Sequence, residues 1–140
     1  MKYTLLSLAL FCCPMTVSAA QPDAVAQYEQ HLSQSFAQLR ALESLLAGVQ
    51  SAAAAETAAP KMEALLTDMA RLEKEKANLP DLDGCSPAAL RRLEKYSGKE
   101  SFELATRLDA QLLRLQDADF YGCKALRRAV DRFISGGFEG

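Results

Sequence analysis

Val25, Tyr28, Leu32, Ser35, Leu39, Leu42, Leu46 and Val49 follow one another in alternating steps of three and four. A helix turns once in 3.6 residues, so this spacing brings all of them to one face, with Ser35 as the polar interruption. Phe36 and Leu45 widen the stripe, as a helix that faces two neighbours in a bundle requires. Asp23 sits near the start, where a negative charge suits the helix dipole, and Gly48 weakens the far end. A strand cannot use such a pattern, because its side chains alternate with a period of two.

A second stripe runs through Met62, Leu65, Met69, Leu72, Lys76 and Leu79, again in steps of three and four. Lys76 breaks it near the end, where its ammonium can reach water, and Pro80 stops the helix. The start has two readings, because Ser51 to Ala59 is mostly alanine. Thr57 as the cap places Pro60 in the first turn, where its missing amide hydrogen is tolerable. Ser51 is the competing cap and would put Pro60 inside the helix.

The clearest loop lies between Pro80 and Pro87, and Ser86-Pro87 then supplies a cap and a preorganised first residue. A short third helix points Leu90, Leu93 and Tyr96 inward and closes at Ser97-Gly98. Ser97 with Glu100 fits a capping box for a fourth helix. Its seam is Ala105, Leu108, Leu112, Leu115 and Asp119, supported by Phe102, Leu104 and Leu113. Phe120-Tyr121-Gly122 marks a turn, and a final helix buries Leu126, Val130, Phe133 and Ile134 before Gly136-Gly137 releases a tail. The expected fold is all-α: a small helical bundle with two long antiparallel helices, two to three shorter ones packed against them, and one disulfide.

The first twenty residues read as an export leader and are set apart from the fold. Lys2 gives a positive start, Leu5 to Phe11 an apolar run, Pro14 a break, and Val17-Ser18-Ala19-Ala20 the small residues of a peptidase site. The expected organisation is a cleaved signal peptide at 1–20 and a helical-bundle domain at 21–140, in the periplasm or secreted. The apolar run is too short for a retained anchor, which needs about 20 residues. A lipoprotein signal at Cys12 or Cys13 would want a small residue before the modified cysteine, and Phe11 and Cys12 stand there instead. Past Gln21 no segment is apolar for long enough to span a bilayer.

Cys85 and Cys123 survive such processing. An even pair in an oxidising compartment is most simply a disulfide, which on the chain-entropy account would stabilise the fold by about 4 kcal/mol. Setting Lys2 aside, 15 basic residues stand against 18 acidic ones. That balance argues against a general nucleic-acid binder. The charge is uneven, with an acidic excess before Gly84 and a basic excess after it. Lys124, Arg128 and Arg132 recur every four residues with Arg127 beside them. They form either a contact face for an acidic partner or anionic lipid, or a solvated face opposite Leu126, Val130 and Phe133.

Other chemistry is poorly supplied. His31 is the one histidine and borders the first stripe, so it reads as a half-exposed structural residue. Pairing it with Met62 or Met69 around a haem is conceivable, but methionines at those spacings are core filler and no Cys-x-x-Cys-His motif occurs. Asp81-Leu82-Asp83-Gly84 resembles part of a calcium loop, yet Leu79 and Leu90 occupy two positions where an EF-hand needs oxygen ligands. Zinc has only two cysteines and one distant histidine. Glu73/Glu75 and Asp117/Asp119 are two apart and face different sides of a helix. No catalytic constellation and no cofactor are therefore expected. The reading is an exported non-enzymatic domain that binds or scaffolds an envelope protein, with helix-mediated oligomers possible through the long apolar stripes. A small-molecule or cofactor carrier and a periplasmic chaperone are the alternatives.

Overall fold

The computed structural model describes residues 22–136. The leader expected at 1–20 lies outside them. Among the described residues five α-helices form a bundle: α1 Pro22–Ala47, α2 Ala52–Lys76, α3 Pro87–Glu94, α4 Lys99–Asp117 and α5 Lys124–Ile134. Among the described residues there is no strand. α1 packs on α2, α3 and α4, whereas α5 packs chiefly on α2.

The first stripe is laid down as its spacing implies. Val25, Leu42, Leu46 and Val49 are buried, and Tyr28, Leu32, Ser35 and Leu39 are half-buried. Ser35 resolves its polar interruption locally, since its hydroxyl donates to the carbonyl of His31 at 3.0 Å. His31 itself is 8% exposed rather than half-exposed, because α2 covers that side of α1.

α2 begins earlier than Thr57. Ser51 is its cap, accepting from the Ala54 amide at 3.2 Å, and Pro60 sits inside the helix. A mid-helix proline forfeits one backbone bond and costs roughly 3 kcal/mol. That cost is offset by burial of Ala55, Ala58, Ala59 and Met62 on the same helix. Ser86 caps α3 as expected, accepting from the Ala89 amide at 3.2 Å with Pro87 in the first turn. α4 departs from the capping-box reading. Gly98 is the N-cap and makes no side-chain cap bond, while the Ser97 hydroxyl turns back to the Glu94 carbonyl.

The chain passes from α4 to α5 through a single left-handed turn. Asp119, Phe120, Tyr121 and Gly122 have φ of 50°, 50°, 53° and 77°. Only the glycine adopts this region freely; an L-residue there loses about 1–2 kcal/mol to contact between its Cβ and a carbonyl oxygen. The surroundings hold the turn in place. Phe120 is buried in the core, and the Asp119 carboxylate pairs with Arg127, whose guanidinium lies 5.5 Å from the Phe120 ring centre. The Tyr121 hydroxyl is 3.4 Å from Arg114.

Arg114 is also what fastens α4 to the end of α1. Its Nη2 donates to the Leu46 carbonyl at 2.7 Å and its Nη1 to the Val49 carbonyl at 2.8 Å, while Nε donates to Gln111 at 2.9 Å. The last carbonyls of a helix lack intrahelical donors and carry the negative end of its dipole, so a forked cation is well matched to them.

The expected disulfide does not form: Cys85 and Cys123 are unpaired. The reason is their placement. α3, which follows Cys85, is tied to Glu29 near the start of α1 through Arg92 and Lys95. Arg114, which precedes Cys123, is tied to Leu46 at the other end of α1. About 25 Å of helical rise separates Glu29 from Leu46. A disulfide needs α-carbons within about 7 Å.

Candidate binding surface

Two of the four basic residues of α5 are engaged in ion pairs. Arg127 pairs with Asp119, and Arg132 pairs with Glu63 of α2 at 2.6 Å. Arg128 and Arg132 line an open cleft with Glu56 and Glu63, so positive and negative charges share it. Lys124 is exposed. Two of the four residues that the Lys124–Arg132 spacing singles out thus tie α5 to the left-handed turn and to α2.

A second cleft, of about 560 Å³, opens between α1 and the α3–α4 junction. Phe36 of α1 and Tyr96 meet edge to face there, with ring centres 5.5 Å apart, and the Lys95 ammonium stands 4.9 Å from the Tyr96 ring centre. Arg40 pairs with Glu100 across the opening at 3.4 Å. Beside it, Glu29 receives both Lys95, at 2.5 Å, and Arg92. The bond from Lys95, seconded by Arg92, holds the Glu29 carboxyl below its ordinary range. Glu29 in turn raises the Lys95 ammonium, with Tyr96 adding to the effect. These pairs fasten α3, a helix in which no residue is buried.

The outer face of α4 differs from both clefts. Leu104, Leu108, Leu112 and Leu115 are buried, which leaves Phe102 at 73% and Leu113 at 61% exposure. Both had been expected to support the inward seam, and Ala105 and Asp119, expected on it, are exposed. Leu104 takes the place of Ala105 because the sequence 104–108–112–115 gives four leucines on one line. Ile134 of α5 is likewise outward, at 54%, while Ala129 joins Leu126 and Val130 in the core.

His31 lines a polar cleft with Arg71 and Glu75, whereas Met62 and Met69 belong to the core cluster. Among the described residues, no three of His, Cys, Asp and Glu converge as a metal site would need. No helix among them is long and apolar enough to cross a membrane.

No protein-family model matches the chain, and neither the curated proteins nor the solved structures give a match.

Proposed function

We propose that this chain is an exported, non-enzymatic helical domain that binds another protein in the cell envelope, in the periplasm or after secretion. The observation that carries the reading is the outward face of α4, where Phe102 and Leu113 stand in water although the helix already buries a full leucine seam. Leaving an aromatic ring and a leucine uncovered forgoes about 1.5–3 kcal/mol per side chain, and a partner would recover it. In the same reading α1 and α2 run antiparallel. Gln27 and His31 of α1 share a cleft with Arg71 and Glu75 near the end of α2, and Leu45 and Gly48 share one with Ala53 and Thr57 near its start. The leader at 1–20 supplies the route to the envelope.

Site-specific photo-crosslinking in intact cells tests this. A photoreactive residue at position 102 or 113 is expected to give a defined adduct, and one at exposed Lys61 on α2 is not. Absence of an adduct at both α4 positions, or equal labelling at Lys61, would end the proposal.

A second reading, a carrier of small molecules, is favoured by the cleft between Phe36, Tyr96, Lys95 and Arg40, whose aromatic wall suits a planar ring. Native mass spectrometry of the protein purified from its own compartment decides it. A retained low-mass ligand supports the carrier, and a bare chain removes it.

A further inference from the structure

Phe102 and Leu113 are eleven residues apart on α4. Eleven residues is close to three full turns, so the two side chains leave the helix from the same face, about 16 Å apart along its axis. Between them on that face are Ala105, Thr106, Asp109 and Ala110, all short and all exposed. The opposite seam of α4 is occupied by the core.

From this pattern we infer that the outer face of α4 is a self-association surface, on which a second copy of the chain lays its own α4 in the antiparallel sense. The inference rests on the protein-binding reading above and names the partner. A twofold axis perpendicular to the helix puts Phe102 of each copy against Leu113 of the other, so both uncovered side chains are buried at once. The same operation brings Ala105 level with Ala110 and Thr106 level with Asp109, on opposite edges of the contact. No bulky group then stands between the backbones, and the helices can approach closely. At the ends, Lys99 of one copy comes level, within a residue, with Asp117 of the other, on the same edge of the contact and twice by symmetry. Lys99 is 88% exposed and makes only a 3.5 Å pair with Glu103, so it is free to swing across. A parallel pairing would instead set Lys99 level with Lys99 and Asp117 level with Asp117, with no opposite charge in reach. The meeting of Phe102 with Leu113, and of Lys99 with Asp117 at each end, under one twofold operation is what singles out a second copy over an unrelated helix.

The contact is small. α4 has 19 residues. One helix pair of that length, about 28 Å, buries less than the roughly 1,200 Å² of a standard interface. The association is therefore weak and concentration-dependent, with a dissociation constant of about 10–500 µM.

Sedimentation equilibrium of the purified protein, with reductant present so that Cys85 and Cys123 cannot link chains, reads this directly. Between about 10 µM and about 1 mM, the weight-average mass is expected to climb from monomer towards dimer. Phe102→Glu and Leu113→Asp, both at exposed positions, should each hold the mass at monomer with an unchanged circular dichroism spectrum. Lys99→Glu should weaken association by about tenfold, and Lys99→Glu with Asp117→Lys should restore it. A monomer throughout the range overturns the inference, as does a dimer indifferent to Leu113→Asp or a double charge exchange that recovers nothing. If the protein stays monomeric while the crosslinker at position 102 captures a different protein, the second copy is refuted and the binding reading stands. If neither occurs, both fall.

Discussion

Replacing Arg114 by methionine keeps most of the aliphatic stem and removes the guanidinium. Two bonds from a charged donor to backbone carbonyls are lost, at Leu46 and at Val49. Bonds of this kind contribute about 1.5–3 kcal/mol each when the acceptor is left with nothing. The Leu46 carbonyl still accepts from the Val49 amide at 3.1 Å, so its share is small. Val49 loses its charged donor, and the negative end of α1 loses its cation, worth about 0.3–1 kcal/mol near a surface. Arg114 is only partly buried, so water recovers part of the loss. The expected cost is about 2 kcal/mol, or a drop of about 6–10 °C in midpoint for a domain of this size. Urea unfolding followed by circular dichroism measures it. Arg114→Lys should cost about half as much, because one ammonium cannot serve two carbonyls in a fixed fork. Tyr121→Phe, which removes only a 3.4 Å contact, should cost less than about 0.5 kcal/mol. A methionine variant within about 0.5 kcal/mol of the natural protein would refute the view that Arg114 joins α4 to α1.

Gly122→Ala should destabilise the protein by about 1–2 kcal/mol although nothing stands within 4 Å of the added carbon, because φ is +77° there; an unchanged urea midpoint would contradict this. Glu29→Gln should flatten the acid side of the stability profile. The Glu29 carboxyl is held below its unfolded value, so its contribution is complete above the ordinary value near 4.5 and disappears as pH falls through the lowered one. Parallel profiles for the two proteins at low salt would count against the pairing with Lys95 and Arg92. Native alkylation without reductant should add two alkyl groups, at Cys85 and Cys123, and an unchanged mass by mass spectrometry would mean the thiols had found each other after all.

The parts of this fold that a reader of the sequence can see are those fixed by local spacing. The Val25–Val49 stripe and the Ser86-Pro87 start require only a helical period and a cap, and both stand where they were expected. What escapes is whatever depends on distant neighbours. Ser51 prevails over Thr57 as the α2 cap because alanines 55, 58 and 59 find core on which to pack, and no local rule weighs that against Pro60. Phe102 and Leu113 look like core residues by type, and only the leucine line at 104, 108, 112 and 115 displaces them. Arg114 carries no local signal, since its acceptors lie on α1 and just beyond it. Parity alone pairs the cysteines, and it is blind to their attachment at opposite ends of α1.

Phe120 and Tyr121 have a bearing on which residues the α4–α5 junction can accept. Their backbone geometry is the one that mirror-image amino acids favour, and a chain built from L-residues meets it only at a loss. Branching at the β-carbon makes that loss greatest, so valine, isoleucine and threonine are shut out of positions 119 to 121, whereas asparagine and glycine enter most easily. A semisynthetic protein with D-alanine at position 122 would hold this corner more firmly than the natural glycine does, because the enantiomer relaxes where its counterpart strains.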